Sequence, residues 1–173
     1  RLVKRTRPTA YQQTLERRQR LRNLRRAFGT AASCADMRIA VVDDVVTIHA
    51  GTYRERVHLV TKLFMPLVRK TEDFQQFLDA QLKRLHTDYL DVYLFHSLNA
   101  GAFENVKRLG LIARMEQTKR QGRIRHIGFS FHDEYDVFEE IITGYDGWDF
   151  TQIQYNYMNE EHQAGTKGLK LAA

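Results

Sequence analysis

From Gly51 to the end of the chain, short apolar runs alternate with longer amphipathic ones. Val57 to Leu63 (Val-His-Leu-Val-Thr-Lys-Leu) predicts a strand, and Thr71 to Leu85 a helix. Leu90 to Phe95 is nearly continuous in apolar residues, as a parallel strand buried on both faces requires, and it stops on His96. Glu104 to Arg120 predicts one helix, with Val106, Leu109, Ile112 and Met115 at helical spacing and Gly122 as its C-terminal stop. Arg125 to Ser130 predicts a strand, Glu134 to Tyr145 a helix, Phe150 to Tyr155 a strand, and Glu160 onward a further helix. Four strands and their helices thus repeat as consecutive βα units, which build either an open doubly wound sheet or a (β/α)8 barrel. No Gly-x-Gly-x-x-Gly follows any strand, so a dinucleotide-binding Rossmann turn is missing and the barrel segment is the better reading.

The first fifty residues differ in texture. Thr9 to Phe28 suits a basic amphipathic helix, with Leu15, Leu21, Leu24 and Phe28 among arginines and Gly29 as its stop. Met37 to His49 is β-branched on both sides of Asp43-Asp44 and predicts two short strands about a turn. The two aspartates serve as turn formers in this reading, in preference to metal ligands. The expected organisation is a basic extension over 1–50, helical with a short β segment, and a partial barrel over 51–173.

Composition changes this picture in one respect. The formal charge of +6 averages a +7 segment (eleven Lys/Arg against four Asp/Glu in residues 1–50) with a −1 body (sixteen against seventeen). Any case for nucleic acid or an anionic membrane surface therefore rests on the extension, and no stacking aromatics or nucleic-acid motif accompany its arginines. A solvated extension is the simpler reading, and nucleic acid is not the expected partner. No apolar run approaches the roughly 20 residues that span a bilayer, and no secretory h-region follows the basic start. Cys34 is the one cysteine, which excludes an internal disulfide and leaves no ligand set for zinc or an iron–sulfur cluster. A reducing, cytoplasmic location is expected, with no metal.

Four polar residues fall at the carboxyl ends of the four strands: Lys62, His96, Ser130 and Gln152, at steps of 34, 34 and 22. In a barrel such positions converge on one mouth whatever their separation in sequence. A lysine and an imidazole beside one pocket can polarise a carbonyl and tune a neighbouring acid. A hydroxyl beside an amide suits recognition of a carboxamide.

The runs His-Leu-Val-Thr-Lys-Leu (58–63), Leu-Lys-Arg-Leu-His-Thr-Asp-Tyr-Leu-Asp-Val-Tyr-Leu-Phe-His (82–96), Gly-Arg-Ile-Arg-His-Ile-Gly-Phe-Ser-Phe-His (122–132) and Gln-Ile-Gln-Tyr-Asn-Tyr (152–157) resemble the aldo/keto reductases. The bacterial, iron–sulfur-associated branch is the most similar, and the tail Gln-Ala-Gly-Thr-Lys-Gly-Leu-Lys (163–170) fits it too. The resemblance covers about residues 51–173. It implies a (β/α)8 barrel that reduces small aldehydes or ketones with NADP(H) by direct hydride transfer. Lys62 then matches the lysine that depresses the pKa of a tyrosine acid, and His96 the histidine that orients the carbonyl oxygen. Ser130 and Gln152 match the side chains that hold the nicotinamide carboxamide. Phe131 stands where many members carry asparagine.

The family's tyrosine and its aspartate partner are expected roughly 30 residues before Lys62. What stands there is Arg-Arg-Ala-Phe-Gly-Thr-Ala-Ala-Ser-Cys, with no aspartate before Asp36, and Tyr11 and Tyr53 lie in other settings. The family's last two βα units would fall beyond Ala173, and the branch's cysteine cluster is not in this chain. The expectation is a fragment of a reductase, weak or inactive on its own, from a truncated or frame-disrupted gene. The alternatives are a non-catalytic reductase-like protein that binds a nucleotide or partner, and nucleic-acid binding through the basic N-terminus. The substrate and the oligomeric state are left open.

Overall fold

The computed structural model describes residues 3–5, 28–30, 39–41, 58–155 and 158–173. The chain forms two compact units, divided between Arg38 and Ile39. In the first, β1 (Val3–Arg5) pairs antiparallel with β2 (Phe28–Thr30), Val3 opposite Thr30. The helix expected over 9–28 lies, except for Phe28, outside the described residues. Phe28 and Gly29 stand in a strand, not at a helix end, because an aromatic and a β-branched residue flank the glycine and favour extended pairing.

The second unit carries five strands: β3 (Ile39–Val41), β4 (His58–Leu63), β5 (Leu90–Leu98), β6 (Ile124–Phe131) and β7 (Phe150–Ile153). They pair in chain order and every pair is parallel. A doubly wound sheet reverses strand order at a switch point, and this one does not. The fold is α/β, a segment of a (β/α)8 barrel. The four expected strands are all present. β3 is an additional one: Ile39 to Val41, expected in a hairpin, pairs instead in parallel with β4. Its expected partner at 45–49 lies outside the described residues.

The connections are α1 (Thr71–Leu85), α2 (Ala100–Arg108), α3 (Leu111–Arg120), α4 (Tyr135–Thr143) and α5 (Gly165–Ala172). α1 buries Phe74, Leu78, Leu82 and Leu85, one helical stripe. Asp73 reaches back to accept the amides of Arg69 and Lys70 at its start. The single helix expected over 104–120 is two. Asn99 starts the first at Ala100 by accepting the Ala102 amide at 2.8 Å. Gly110, at φ +62°, takes a left-handed conformation that no helix interior can contain, and divides α2 from α3. No helix among the described residues is long and apolar enough to cross a membrane.

Alternation divides the sheet into two faces. Leu59, Leu63, Tyr93, Phe95, Ile127 and Phe129 are buried against Phe74, Leu78, Val106, Met115, Phe138 and Ile141 of the helices. The opposite face carries Lys62, Leu94, Gly128 and Phe150 as one register row across β4 to β7. A Cβ on Gly128 would come within 1.9 Å of the Phe150 carbonyl oxygen, so only glycine lets β6 and β7 approach this closely.

Candidate active site

Lys62, His96, Ser130 and Gln152 share the face turned away from the helices, near the carboxyl ends of β4, β5, β6 and β7. Ser130 and Gln152 are direct register partners. Lys62 pairs with Leu94, which places His96 two residues further along the neighbouring strand. At strand spacings of about 3.3 Å along and 4.8 Å across, that is a Cα separation of roughly 8 Å.

Each residue is held differently. Lys62 is half-buried, and its carbonyl accepts the Gln81 side-chain amide at 2.7 Å, so α1 pins the strand end that presents it. His96 is half-buried, with the Phe64 ring against it at a centroid distance of 5.5 Å and a tilt of 49°. The strand does not stop on His96, as expected, but runs two residues further to Leu98. Register shifts there: Phe95 faces Phe129 and Leu98 faces Phe131, so β5 carries one residue more than β6. Ser130 is buried, 2% exposed, and its hydroxyl accepts the Ser97 amide at 2.7 Å. Gln152 is exposed.

Beside His96 opens a cleft of about 560 Å³, lined among others by Phe64, Met65, Pro66, Ser97, Asn99 and Asn105. The Asn105 amide donates to the Val68 carbonyl at 3.0 Å, tying α2 to the 3-10 turn Met65–Leu67 that follows Lys62. The lining therefore combines apolar side chains with the amides of Asn99 and Asn105 and the hydroxyl of Ser97.

Sequence reasoning missed Gln81, Ser97 and Phe64 as contributors. Gln81 had a signal: it is a polar residue within the Phe74–Leu85 stripe. Ser97 had none, because a serine after a strand is equally at home in a loop.

The other end of the sheet is built for cohesion. Asp91, 2% exposed within an apolar strand, accepts the Leu59 amide at 2.8 Å and Arg125 Nη1 at 3.0 Å, with His58 Nδ1 at 3.6 Å. Asp149 repeats the device on the next strands with the Ile127 amide at 2.9 Å, Lys119 Nζ at 2.6 Å and His126 Nδ1 at 3.5 Å. Burial pushes the Asp149 carboxyl up, but Lys119, the Ile127 amide and His126 outweigh it and hold the group below its usual value of 3.8.

No tyrosine among the described residues shares the strand face of Lys62 and His96. Tyr93 packs on the helix side against Phe74, and Tyr89 lies under the Arg125 guanidinium. Tyr135 bonds Glu139 and Tyr155 bonds Thr166. Tyr145 bonds Glu116, and burial together with that carboxylate pushes its phenol up to about 12, away from acid chemistry at neutral pH.

The sequence model of the aldo/keto reductase family matches residues 39–170, three quarters of the chain and the same stretch that forms the five-stranded unit. Methylglyoxal reductase YeaE of Escherichia coli (strain K12) is 40% identical over 86 residues, half of this chain and 28% of that protein. The solved aldo/keto reductase of Brucella melitensis superimposes with a TM-score of 0.51 at 25% identity, over 71% of this chain and 44% of that one. The Klebsiella pneumoniae aldo-keto reductase, solved in complex with NADPH, gives 0.51 at 26% identity, over 61% and 36%. The holo form of AKR11C1 from Bacillus halodurans gives 0.55 at 19% identity, a likeness of fold alone, over 72% and 43%. The chain thus spans less than half the length of each of these relatives. By the extent of the family match and the parallel sheet that carries it, this chain belongs to the aldo/keto reductase family.

Proposed function

We propose that the chain carries the lysine–histidine and carboxamide-binding part of a carbonyl reductase site that uses NADP(H) on small aldehydes or ketones. One observation carries the reading: four chemically suited side chains occupy a single sheet face at adjoining strand ends, two of them in direct register. An exposed amide beside a hydroxyl is a donor–acceptor set that fits a carboxamide, so Ser130 and Gln152 are the residues that would hold the nicotinamide. When bound, a reduced nicotinamide supplies the hydride. His96 donates a hydrogen bond to the substrate carbonyl oxygen and fixes its orientation beside the apolar wall of Phe64. Lys62, as a cation on the same face, stabilises negative charge that develops on that oxygen.

A second reading, nucleotide binding without turnover, is favoured by one specific observation. No tyrosine lies between Tyr11 and Tyr53, and no described tyrosine shares the face of Lys62. General acid catalysis is worth about 10²–10⁴-fold, so a site with no phenol from the described residues is expected to turn over slowly. Titration with NADPH, followed by energy transfer from Trp148, the one tryptophan, tests binding. NADPH oxidation with methylglyoxal tests turnover. Binding with slow turnover that disappears in Lys62→Met supports the first reading. Binding with none supports the second, and no binding refutes both.

A further inference from the structure

We propose that Ser130 is a positioning residue for His96, because its hydroxyl anchors the one-residue bulge on which that histidine stands. The role of His96 rests on the reductase reading above, whereas the anchoring of the bulge does not.

His96 and Ser97 together oppose Ser130, since the register passes from Phe95 opposite Phe129 to Leu98 opposite Phe131. Ser97 sits at φ +55°, a left-handed conformation that a residue with a side chain keeps only when its surroundings impose it. Its amide is thereby turned out of the ladder and donates to Ser130 Oγ at 2.7 Å. Ser130 is 2% exposed, so its hydroxyl is a fixed acceptor for that amide on the protein side.

The bulge has a visible purpose. Leu98 and Phe131 are both fully buried, and Phe131 packs edge-on against Phe138 of α4 at 5.1 Å. Without the extra residue, strict alternation would place Leu98 on the face of His96. The bulge lets Leu98 close the core while the imidazole stays on the open face.

A hydroxyl has one hydrogen to donate and two lone pairs. Accepting from Ser97 uses a lone pair and leaves the hydrogen free for a carboxamide oxygen. The same oxygen therefore joins the cofactor end of the site to the backbone that carries His96.

The test uses the full 173-residue chain, labelled for NMR. Ser130→Ala is expected to speed hydrogen exchange at the Ser97 amide about tenfold or more and to shift the His96 ring resonances, with the Thr61 amide unchanged. Ser130→Thr, which keeps the acceptor, restores both. Ser97→Gly added to Ser130→Ala returns the His96 resonances towards wild type, since glycine takes φ +55° freely. With NADPH and methylglyoxal, that double variant recovers kcat over Ser130→Ala while KM for NADPH stays raised, a split that a purely structural role would not produce. Should Ser130→Ala fail to fold, Ser130→Cys, of similar size and a weak acceptor, takes its place with the same expected shifts. Unchanged Ser97 exchange and His96 resonances in the variant lacking the acceptor, or a Ser130→Thr that behaves like Ser130→Ala, overturns the proposal. Wild-type protein without turnover defeats the reductase reading alone, because the NMR comparison stands without it.

Discussion

At the scale of single residues, Asp91 and His96 show what one strand asks of its two ends. Asp91 is a carboxylate in a dry position, met by an amide, a guanidinium and a histidine from the two neighbouring strands. Removing it leaves the Leu59 amide without its acceptor, so Asp91→Ala is expected to destabilise the fold by about 2–4 kcal/mol. Urea unfolding of the variant against wild type measures this; a loss under half a kcal/mol would contradict the account. His96, at the other end of the strand, lines the cleft with the Phe64 ring against it. His96→Ala should lower kcat/KM for an aldehyde about 100-fold while moving the unfolding midpoint little. Both ends were partly legible. The histidine stood out because a titratable group ended an apolar run, but the aspartate was absorbed into that run as if it were apolar. An acid inside a buried strand implies partners, although spacing alone does not name them.

At the scale of elements, the close pairing of β6 and β7 sets Ser130 beside Gln152, and Gly128 permits it. Gly128→Ala drives a methyl into the Phe150 carbonyl, so β7 must move. About 1–3 kcal/mol of stability should be lost, and, on the proposed function, affinity for NADPH should weaken even though neither Ser130 nor Gln152 is altered. Unchanged affinity in a folded variant would show that the register of Ser130 and Gln152 is irrelevant to binding. Asp149 clamps the same two strands to α3 through Lys119. Its carboxyl titrates lower when folded than when unfolded, so the clamp is fully present above the ordinary aspartate value of 3.8 and is lost as pH falls through the lower, folded value. Wild type should therefore lose stability on acidification below 3.8 more steeply than Asp149→Asn, a comparison made by denaturant unfolding across that range. Helices were less legible than strands here. Leu109, Ile112 and Met115 keep one periodicity across Gly110, so the chain reads as one helix until the positive φ is seen. The bulge at Ser97 left no trace in the sequence, because a serine does not announce a left-handed backbone as glycine does.

At the scale of the whole molecule, the five-stranded unit is ordered like its sequence, and that is why its class could be read from periodicity. β4, β5 and β6 are buried by helices on one face, α1 to α4 each bury apolar residues against them, and no strand order reverses. A strand was expected at β3, but its partner escaped: Asp43-Asp44 looks like a hairpin turn, whereas pairing with β4 was a long-range choice that no local pattern encodes. The convergence of Lys62, His96, Ser130 and Gln152 on one face was legible from their strand-end spacing, but not which of them is buried or what holds each. The central claim is that this face holds a reduced nicotinamide next to a carbonyl-binding histidine. Titration of the full chain with NADPH, read by Trp148 emission in wild type and in Gln152→Ala, tests it most directly. The account predicts saturable quenching in wild type and affinity reduced about tenfold in the variant, as loss of a ligand hydrogen bond implies. Equal quenching in both proteins, or none in wild type, would contradict it.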